Sequence, residues 1–435
     1  MVFDPLTPRF PLPLRERGRR AFESHEITLS ADACIKCNVC QSYCPVSNVT
    51  DLFPGPKYVG PQAQRLRTGP SVDYTVDYCS GCTVCTRVCP SGVKIMELNS
   101  KARAAMVEAR GGLSLRDRLI ARPELLGQLS RPFAPLVNLM LGQRLVRLGM
   151  QALLRIDARA PMPPFSNQSF RALHRRATRL RRSGLQGDHT AQAERQVAYF
   201  YACSTDYYEP QLGMKVVDVM ERNGYETVLP RQNCCGLPLI SNGDYRSARK
   251  YAERNIRKLL PAARAGLPII ATSTSCSLTL KQYYRELLDI RTEEAELVAR
   301  NVYDVCEFLR LLHDRGELNT DFGEVDQTVP YHAPCQLKSH GIGKPALDLM
   351  ELIPGLRPLE MDAECCGTAG TYGYKQEKYD IAMKVGSSLF TQIEQTGSAI
   401  SACDSETCRW QIEHGARVRS YHPIEILLMG YEARA

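Results

Sequence analysis

Apolar residues in the C-terminal half of the chain alternate between short runs suited to strands and longer stretches with helical spacing. QVAYFYAC, ETVLP and LPIIATSTSC are typical of strands, whereas QLGMKVVDVMERNG and RSARKYAERNIRKLLPAARAG place apolar residues near the helical period. Strands and helices therefore alternate from Gln196 onward. This order predicts an α/β sheet.

The same order occurs a second time. TVPYHAPC, LRPLEMD and AISACDSETC predict strands, and PALDLMELIPG and KYDIAMKVGSSLFTQIEQTG predict the helices between them. Cysteines mark equivalent places at offsets of 132, 131 and 132 residues: Cys203 with Cys335, Cys234-Cys235 with Cys365-Cys366, and Cys276 with Cys408. An internal duplication explains this regularity.

The stretch Phe133 to Ile156 has leucines near helical spacing with arginines between them, which predicts an amphipathic basic helix. It either lies on an anionic membrane surface or packs on the protein's own core or a partner subunit. The later run ALHRRATRLRRSG, from Ala172 to Gly184, is interpreted as a solvated basic helix. No recognised nucleic-acid motif accompanies it, so we expect no nucleic-acid partner.

Two cysteine runs precede these elements: CIKCNVCQSYCP from Cys34 to Pro45, and CSGCTVCTRVCP from Cys79 to Pro90. Both follow C-x2-C-x2-C-x3-C-P, in which three thiolates of one run and the fourth of the other hold each [4Fe–4S] cluster. The spacing assigns one cluster to Cys34, Cys37, Cys40 and Cys89, and a second to Cys79, Cys82, Cys85 and Cys44. Two structural zinc sites are the alternative, although zinc favours two cysteine pairs over three plus one.

The duplicated cysteines follow the carboxyl ends of predicted strands, the edge where ligands of α/β sheets collect. We expect them to converge there. In each Cys-Cys-Gly motif the glycine permits the bend that two adjacent ligands need, which favours an unusual cluster over an ordinary cubane. Buried structural thiols are the alternative, and this is our interpretation of Cys306, which stands by itself in the predicted helix NVYDVCEFLRLL.

The amino-acid composition indicates the cellular compartment and the kind of chemistry to expect. The chain has 435 residues and 18 cysteines, clustered rather than scattered, which favours metal chemistry in the reducing cytoplasm over a disulfide framework. Arg19-Arg20 is followed by no apolar segment, so we predict no export signal. Net charge is +8, and residues 101–196 hold 18 Lys/Arg against 6 Asp/Glu. No apolar window is long enough to span a bilayer.

Two cysteine runs followed by two CCG repeats resemble the iron–sulfur subunits of glycolate oxidase, lactate utilisation enzymes and heterodisulfide reductase. Over residues from about 33 to 432, the sequence resembles the C-subunit family of anaerobic glycerol-3-phosphate dehydrogenases. The resemblance rests on CIKCNVC, PGPKYVGP with RLR, RPFAPLVN, CCGLPLISNG, CCGTAGTYGYK and ETCRWQIEH. It implies electron transfer from a flavoprotein that oxidises glycerol 3-phosphate towards the membrane menaquinone pool, on the cytoplasmic face of the membrane, with peripheral contact to it.

The resemblance also implies a noncubane [4Fe–4S] cluster in each CCG repeat, bound by a lone cysteine, the Cys-Cys pair and a C-x2-C pair. Ser273 and Ser405 replace the first cysteine of C-x2-C in the two repeats. The first repeat keeps Cys203, Cys234, Cys235 and Cys276, and the second keeps Cys335, Cys365, Cys366 and Cys408, with Cys403 as a substitute. We therefore favour the second repeat as the better cluster site. His332 and His422 either donate hydrogen bonds or protons near a cluster or are satisfied by local backbone.

These observations predict an α+β multidomain chain in which a helical, loop-rich ferredoxin-like domain with two clusters precedes a duplicated α/β cysteine-rich domain. The divisions are a basic extension at 1–30, the ferredoxin-type domain at 31–110, a connector at 111–196, and CCG domains at 197–325 and 326–432. No dinucleotide or ATP motif is present, so we expect an electron-transfer subunit without its own substrate pocket. A quinone or disulfide reductase acting at a CCG cluster, or the iron–sulfur subunit of a glycolate or lactate oxidase, is the alternative.

Overall fold

The computed structural model describes residues 25–67, 74–182 and 195–434. Most of the predicted basic extension, including Arg19-Arg20, lies outside these residues. Within them, loops and short helices are followed by a helical connector and two small parallel sheets, so the predicted fold class is confirmed.

Short helices carry the cysteine runs, and one long helix follows them. Helices α2 and α4 each begin after a residue in the left-handed conformation, Asn38 (φ 68°) and Thr83 (φ 66°), so the two runs bend in the same way. The long helix is α5 (Ile95–Ala109), which is buried along most of its length. The N-terminal helices are α1 (His25–Ser30), α2 (Val39–Ser42), α3 (Ala63–Leu66), α4 (Val84–Arg87) and α5 (Ile95–Ala109), with a π-helical turn at Tyr58–Gln62.

The connector is a series of helices whose apolar residues mostly face outward. The single helix predicted from Phe133 to Ile156 is two helices, because the chain is extended at Gln143 (φ −83°, ψ 127°). In the described residues, no helix has the length and apolar character needed to cross a membrane. The connector helices are α6 (Leu115–Ile120), α7 (Pro123–Ser130), α8 (Ala134–Gly142), α9 (Arg144–Leu154) and α10 (Phe170–Arg182).

Each CCG repeat forms a four-stranded parallel sheet with the same strand order. The strands are β1 (Arg195–Phe200), β2 (Tyr225–Val228), β3 (Ile269–Ala271), β4 (Val302–Asp304), β5 (Gln327–Tyr331), β6 (Leu356–Glu360), β7 (Ile400–Ala402) and β8 (Arg419–Tyr421). The first sheet has the order β2-β1-β3-β4 and the second β6-β5-β7-β8. The matching order confirms the internal duplication.

The helices of the repeats cover both faces of these sheets, as parallel strands require. The prediction of strands in LPIIATSTSC and AISACDSETC was too long, because both sequences turn into helices after three strand residues. The first repeat has α11 (Cys203–Tyr207), α12 (Pro210–Arg222), α13 (Leu237–Ser241), α14 (Tyr245–Arg264), α15 (Thr274–Leu278), α16 (Tyr284–Glu286), α17 (Glu293–Asn301) and α18 (Val305–Asp314). The second has α19 (Cys335–His340), α20 (Pro345–Met350), α21 (Tyr379–Gln395), α22 (Glu406–Gly415) and α23 (Pro423–Arg434).

The two sheets share an apolar core, and polar contacts also join the repeats. His422 Nε2 lies 2.9 Å from the Thr272 carbonyl oxygen, across the interface between the repeats. Glu209 accepts a hydrogen bond of 2.8 Å from the Trp410 indole and forms an ion pair with Arg409. These partners fix the orientation of the sheets, and therefore the positions of the cysteines at their carboxyl ends.

Candidate metal centres

The first set of four cysteines comes together around Cys40. Burial first, and then the nearby thiols of Cys89, Cys34 and Cys37, raise the pKa of the Cys40 thiol to about 11. The backbone N–H of Val93 lies 3.3 Å from Cys89 Sγ, in position to donate to a thiolate. The first run thus contributes three sulfurs and the second run the fourth.

The second set lies deeper in the protein. Burial raises the pKa of the Cys85 thiol well above its usual range, with further contributions from Cys79, Cys82 and Cys44. The backbone N–H of Ser47 lies 3.5 Å from Cys44 Sγ. This set again takes three sulfurs from one run and one from the other.

Both sets fit a soft metal centre. Buried thiols resist ionisation, so a group of four is stable as thiolates only when a metal ion neutralises their charge. Each set draws on both runs in the three-plus-one arrangement of a two-cluster ferredoxin. The individual ligand assignment remains a prediction, and the geometry favours it over zinc held by two adjacent pairs.

In the first CCG repeat the four remaining cysteines also meet. Cys203 and Cys234 have sulfur atoms 3.7 Å apart, and Cys235 contacts both Cys234 and Cys276. Glu124 of the connector accepts a 2.8 Å hydrogen bond from the Cys234 backbone N–H. Burial is the largest cause of the raised pKa of the Glu124 carboxyl group.

Ser273, which replaces a cysteine in the first repeat, is buried, and its hydroxyl oxygen has no partner among the described residues. It precedes α15, and Cys276 lies one turn further along that helix. The site therefore offers four thiols and one unpaired hydroxyl group.

The second CCG repeat gathers a larger set. Cys366 and Cys408 have sulfur atoms 3.1 Å apart, and Cys335 contacts Cys365. Cys403 contacts Cys408, so the proposed substitute lies beside the core ligands. Unlike Ser273, the replacing residue Ser405 has a hydroxyl partner, with its oxygen 3.3 Å from Thr407 Oγ1.

The two predicted histidines, His332 and His422, differ in their hydrogen-bond partners. His422 Nε2 is paired with the Thr272 carbonyl, and its Nδ1 accepts from the Ile424 N–H at 3.1 Å, so local backbone satisfies both nitrogens. His332 is fully buried, and neither of its ring nitrogens has a partner in the described part of the chain. Burial lowers the pKa of His332 to about 4.

Several buried polar residues were missed by the sequence analysis. Cys306 was interpreted as an isolated structural thiol, but Asp304 and Asp404 each place a ligand atom within 4.8 Å of it. Arg103 donates at 2.9 Å to the Val76 carbonyl, just before the second cysteine run, and Lys378 donates at 2.7 Å to the Asp77 carbonyl. No local pattern marks these residues, because their partners are distant in sequence.

The second cysteine run also lies against the second CCG repeat. Cys82 and Val84 pack with Cys335 and Cys365 in one small buried cluster. Burial and the neighbouring thiol of Cys365 both raise the pKa of Cys82. The residues predicted to hold two different centres are therefore in contact, although the sequence separates them widely.

Comparison with known protein families supports this arrangement. Residues 30–93 match a 4Fe-4S dicluster domain, and residues 197–281 and 329–413 each match the cysteine-rich CCG domain. The matches coincide with the two cysteine runs and the two repeats.

Curated relatives match most of the chain. It is 26% identical over 84% of its length to the B-subunit of fumarate reductase (CoM/CoB) of Methanothermobacter marburgensis, covering 64% of that protein. It is 27% identical over 53% of its length to lactate utilization protein A of Halalkalibacterium halodurans, covering 93% of that protein. With the C-subunit of anaerobic glycerol-3-phosphate dehydrogenase of Escherichia coli K12 it shares 37% identity over 92% of its own length and 98% of the relative's. The chain thus belongs to the C-subunit family of anaerobic glycerol-3-phosphate dehydrogenases, whose members are iron–sulfur electron-transfer subunits.

Proposed function

We propose that this chain accepts electrons from a flavin-containing glycerol-3-phosphate dehydrogenase and delivers them towards the menaquinone pool at the membrane. The likeness to the C-subunit of the Escherichia coli dehydrogenase over nearly the whole chain supports this proposal. The observation that carries it is the contact between the ligand residues of the second cysteine run and those of the second CCG repeat.

That contact is built from several interactions. Val84 is completely buried and packs with Cys82 of the second cysteine run and with the second-repeat cysteines Cys335 and Cys365. The surface that the run and the repeat share there is therefore apolar. The hydroxyl groups of Thr83 and Ser339 are in hydrogen-bond contact, and Arg87 forms an ion pair with Glu364. These contacts hold the second cysteine run at a fixed distance from the second CCG repeat. Electron transfer between neighbouring centres requires such a fixed distance.

The residues fit the proposed cofactors. Cys34, Cys37, Cys40 and Cys89 would hold one [4Fe–4S] cluster, and Cys79, Cys82, Cys85 and Cys44 the other. Such clusters accept and release single electrons. The protein supplies buried thiols, backbone N–H donors and a fixed spacing. We assign a further noncubane cluster to the second CCG repeat, and retain the domain boundaries of the sequence analysis as part of this proposal.

Anaerobic purification with iron analysis and EPR tests the cofactors. Two ferredoxin-type clusters give about 8 iron atoms per chain, and an occupied CCG repeat adds about 4. We expect about 12. Colourless protein with stoichiometric zinc would reject the proposal.

The donor is tested with the complex purified from its own cells. A flavoprotein that copurifies and reduces a menaquinone analogue with glycerol 3-phosphate supports the assignment, whereas activity with glycolate or lactate in its place would assign the chain to the alternative oxidases. Cys82→Ser should reduce this electron transfer strongly. Cys306→Ala serves as the matched loss of a buried thiol and should not.

The connector presents an apolar surface that suits contact with a membrane. We define the leucine surface as Leu129, Phe133, Leu136, Leu139, Leu145 and Leu153, each between 56% and 85% exposed. Exposed apolar side chains on consecutive helices are unusual for a protein surface in water. We assign this surface to the lipid interface, because the quinone acceptor lies there.

Flotation with vesicles tests this assignment. The complex should float with vesicles that contain anionic lipid, and the double variant Leu145→Gln, Leu153→Gln should float less. If the variant instead releases the flavoprotein and still floats, the surface binds the partner subunit.

A further inference from the structure

His332 is buried without a hydrogen-bond partner. Its side chain is 0% exposed, and both Nδ1 and Nε2 lack a partner among the described residues. A buried polar group left unpaired is unfavourable, because it loses its hydrogen bonds to water without replacement. His422, which is equally enclosed, shows how this protein normally avoids that cost, because backbone groups pair both of its nitrogens.

The imidazole of His332 lies beside the cysteines of the second CCG repeat. One of its ring nitrogens is within 4.8 Å of the sulfur atoms of both Cys366 and Cys408. All three residues are buried. A nitrogen and two sulfurs that converge in this way form one face of a metal site.

The sheet fixes the ring in this place. His332 directly follows β5, and its backbone N–H donates at 2.9 Å to the carbonyl of Ala402 in β7. The preceding residue, Tyr331, donates from its hydroxyl group at 2.6 Å to Asp404. The backbone of His332 is therefore hydrogen-bonded to the neighbouring strand, which fixes the position of the ring.

The first repeat has no such nitrogen. At the offset of 132 residues that relates the two repeats, Phe200 occupies the place of His332, and it is part of the apolar core. The two repeats share the loss of a cysteine, at Ser273 and at Ser405. The second repeat differs by having an imidazole beside Cys366 and Cys408, and Cys403 beside Cys408.

We propose that His332 is a nitrogen ligand of the metal centre held by Cys366 and Cys408, so that the second CCG repeat binds iron with mixed imidazole and thiolate donors. This rests on the proposed function in one respect, that the repeat holds an iron–sulfur cluster. Where a neutral imidazole replaces a thiolate, the centre carries less negative charge and its reduction potential rises. The second CCG repeat then accepts electrons more readily than an all-thiolate site.

Pulsed EPR on protein labelled with ¹⁵N-histidine tests the ligand directly. The full-length protein, purified with its cofactors, is poised by redox titration so that the signal of the second CCG centre is present. We expect a strong nitrogen coupling in the spectrum. Its pattern should change from that of ¹⁴N to that of ¹⁵N when histidine alone is labelled. A centre signal without any histidine coupling would overturn the inference and leave the proposed electron transfer standing. An iron content of about 8 atoms with no CCG signal would overturn the inference together with the assignment of a cluster to the second CCG repeat.

Three variants sharpen the test. His332→Phe installs the residue of the first repeat and should abolish the coupling and reduce the iron bound by this centre. His332→Cys should restore the iron, without nitrogen coupling and with a lower midpoint potential. His422→Gln should leave the coupling unchanged. Persistence of the coupling in His332→Phe would refute the assignment, and the labelled wild-type protein decides the question even if that variant fails to fold.

Discussion

The glycines of the two Cys-Cys-Gly motifs provide a matched pair of substitutions. Gly236 and Gly367 have nearly the same conformation, with φ of +91° and +89°. Side chains disfavour this region, so alanine at either position costs about 1–2 kcal/mol from backbone strain. If conformation were the only requirement, the two variants would behave alike.

The two glycines differ in how closely other atoms pack around them. At Gly236 a Cβ atom would lie 3.6 Å from the Ala248 carbonyl oxygen, an ordinary contact. At Gly367 it would overlap the carbonyl oxygen of Ala382 and approach the carbonyl carbon to 2.9 Å, both in the backbone of α21. Helix α21 cannot yield as a flexible side chain would, so relief of the overlap adds about 1–3 kcal/mol. We expect a total of about 1–2 kcal/mol for Gly236→Ala and about 2–5 kcal/mol for Gly367→Ala.

The local consequence can be measured without assuming that the whole chain unfolds in one step. Hydrogen exchange should show increased opening of the Cys365–Gly367 loop and the first half of α21 in Gly367→Ala. Its iron content should fall, while the EPR signals of the ferredoxin-type clusters persist. Gly236→Ala should show much smaller changes around its own motif. Equal effects of the two variants would refute the packing argument.

Three further outcomes follow from the structure. Asp117 forms a 3.0 Å ion pair with the buried Lys375, and Asp117→Asn should lower the free energy of unfolding by about 1–3 kcal/mol. Burial opposes ionisation of Asp117, but Lys375 and Arg116 lower its pKa overall; the wild-type advantage in urea unfolding should therefore be complete above about pH 4 and decline as pH falls further. Loss of two exposed leucines in Leu145→Gln, Leu153→Gln should weaken vesicle binding at least about a hundredfold, measured by flotation, since each buried leucine contributes about 1.5–3 kcal/mol. If the second CCG repeat reduces quinone, Cys366→Ala should abolish quinone reduction and leave reduction of the ferredoxin-type clusters intact by EPR.

The sequence predicted the parts of the fold that local patterns encode. The alternation of elements and the recurring cysteines indicated two equivalent α/β repeats, and both sheets have the same strand order. Two strands were missed, Val302–Asp304 and Arg419–Tyr421, because three-residue edge strands are too short for a periodic signal. Val302–Asp304 was included in a predicted helix that begins only at Val305.

Relations between distant segments could not be predicted in the same way. Spacing indicated which cysteines belong to one run, but not that Cys82 would pack against Cys365. A helical period indicated the amphipathic connector, but not the break at Gln143 or the direction in which its leucines face. The unpaired state of His332 depends on every neighbour in three dimensions, so it leaves no mark in the sequence.

The duplicated repeats differ in the surroundings of their cysteines. The second repeat contacts the second cysteine run through Cys365, whereas the first repeat encloses its motif with the connector residue Glu124. The second repeat also places His332 where the first has Phe200, and it packs Gly367 against a helix backbone that leaves no room for movement. A centre that exchanges electrons benefits from fixed ligands and a neighbouring centre, and both features occur in the second repeat. The two similar scaffolds therefore differ in features that support our proposal of a cluster in the second repeat.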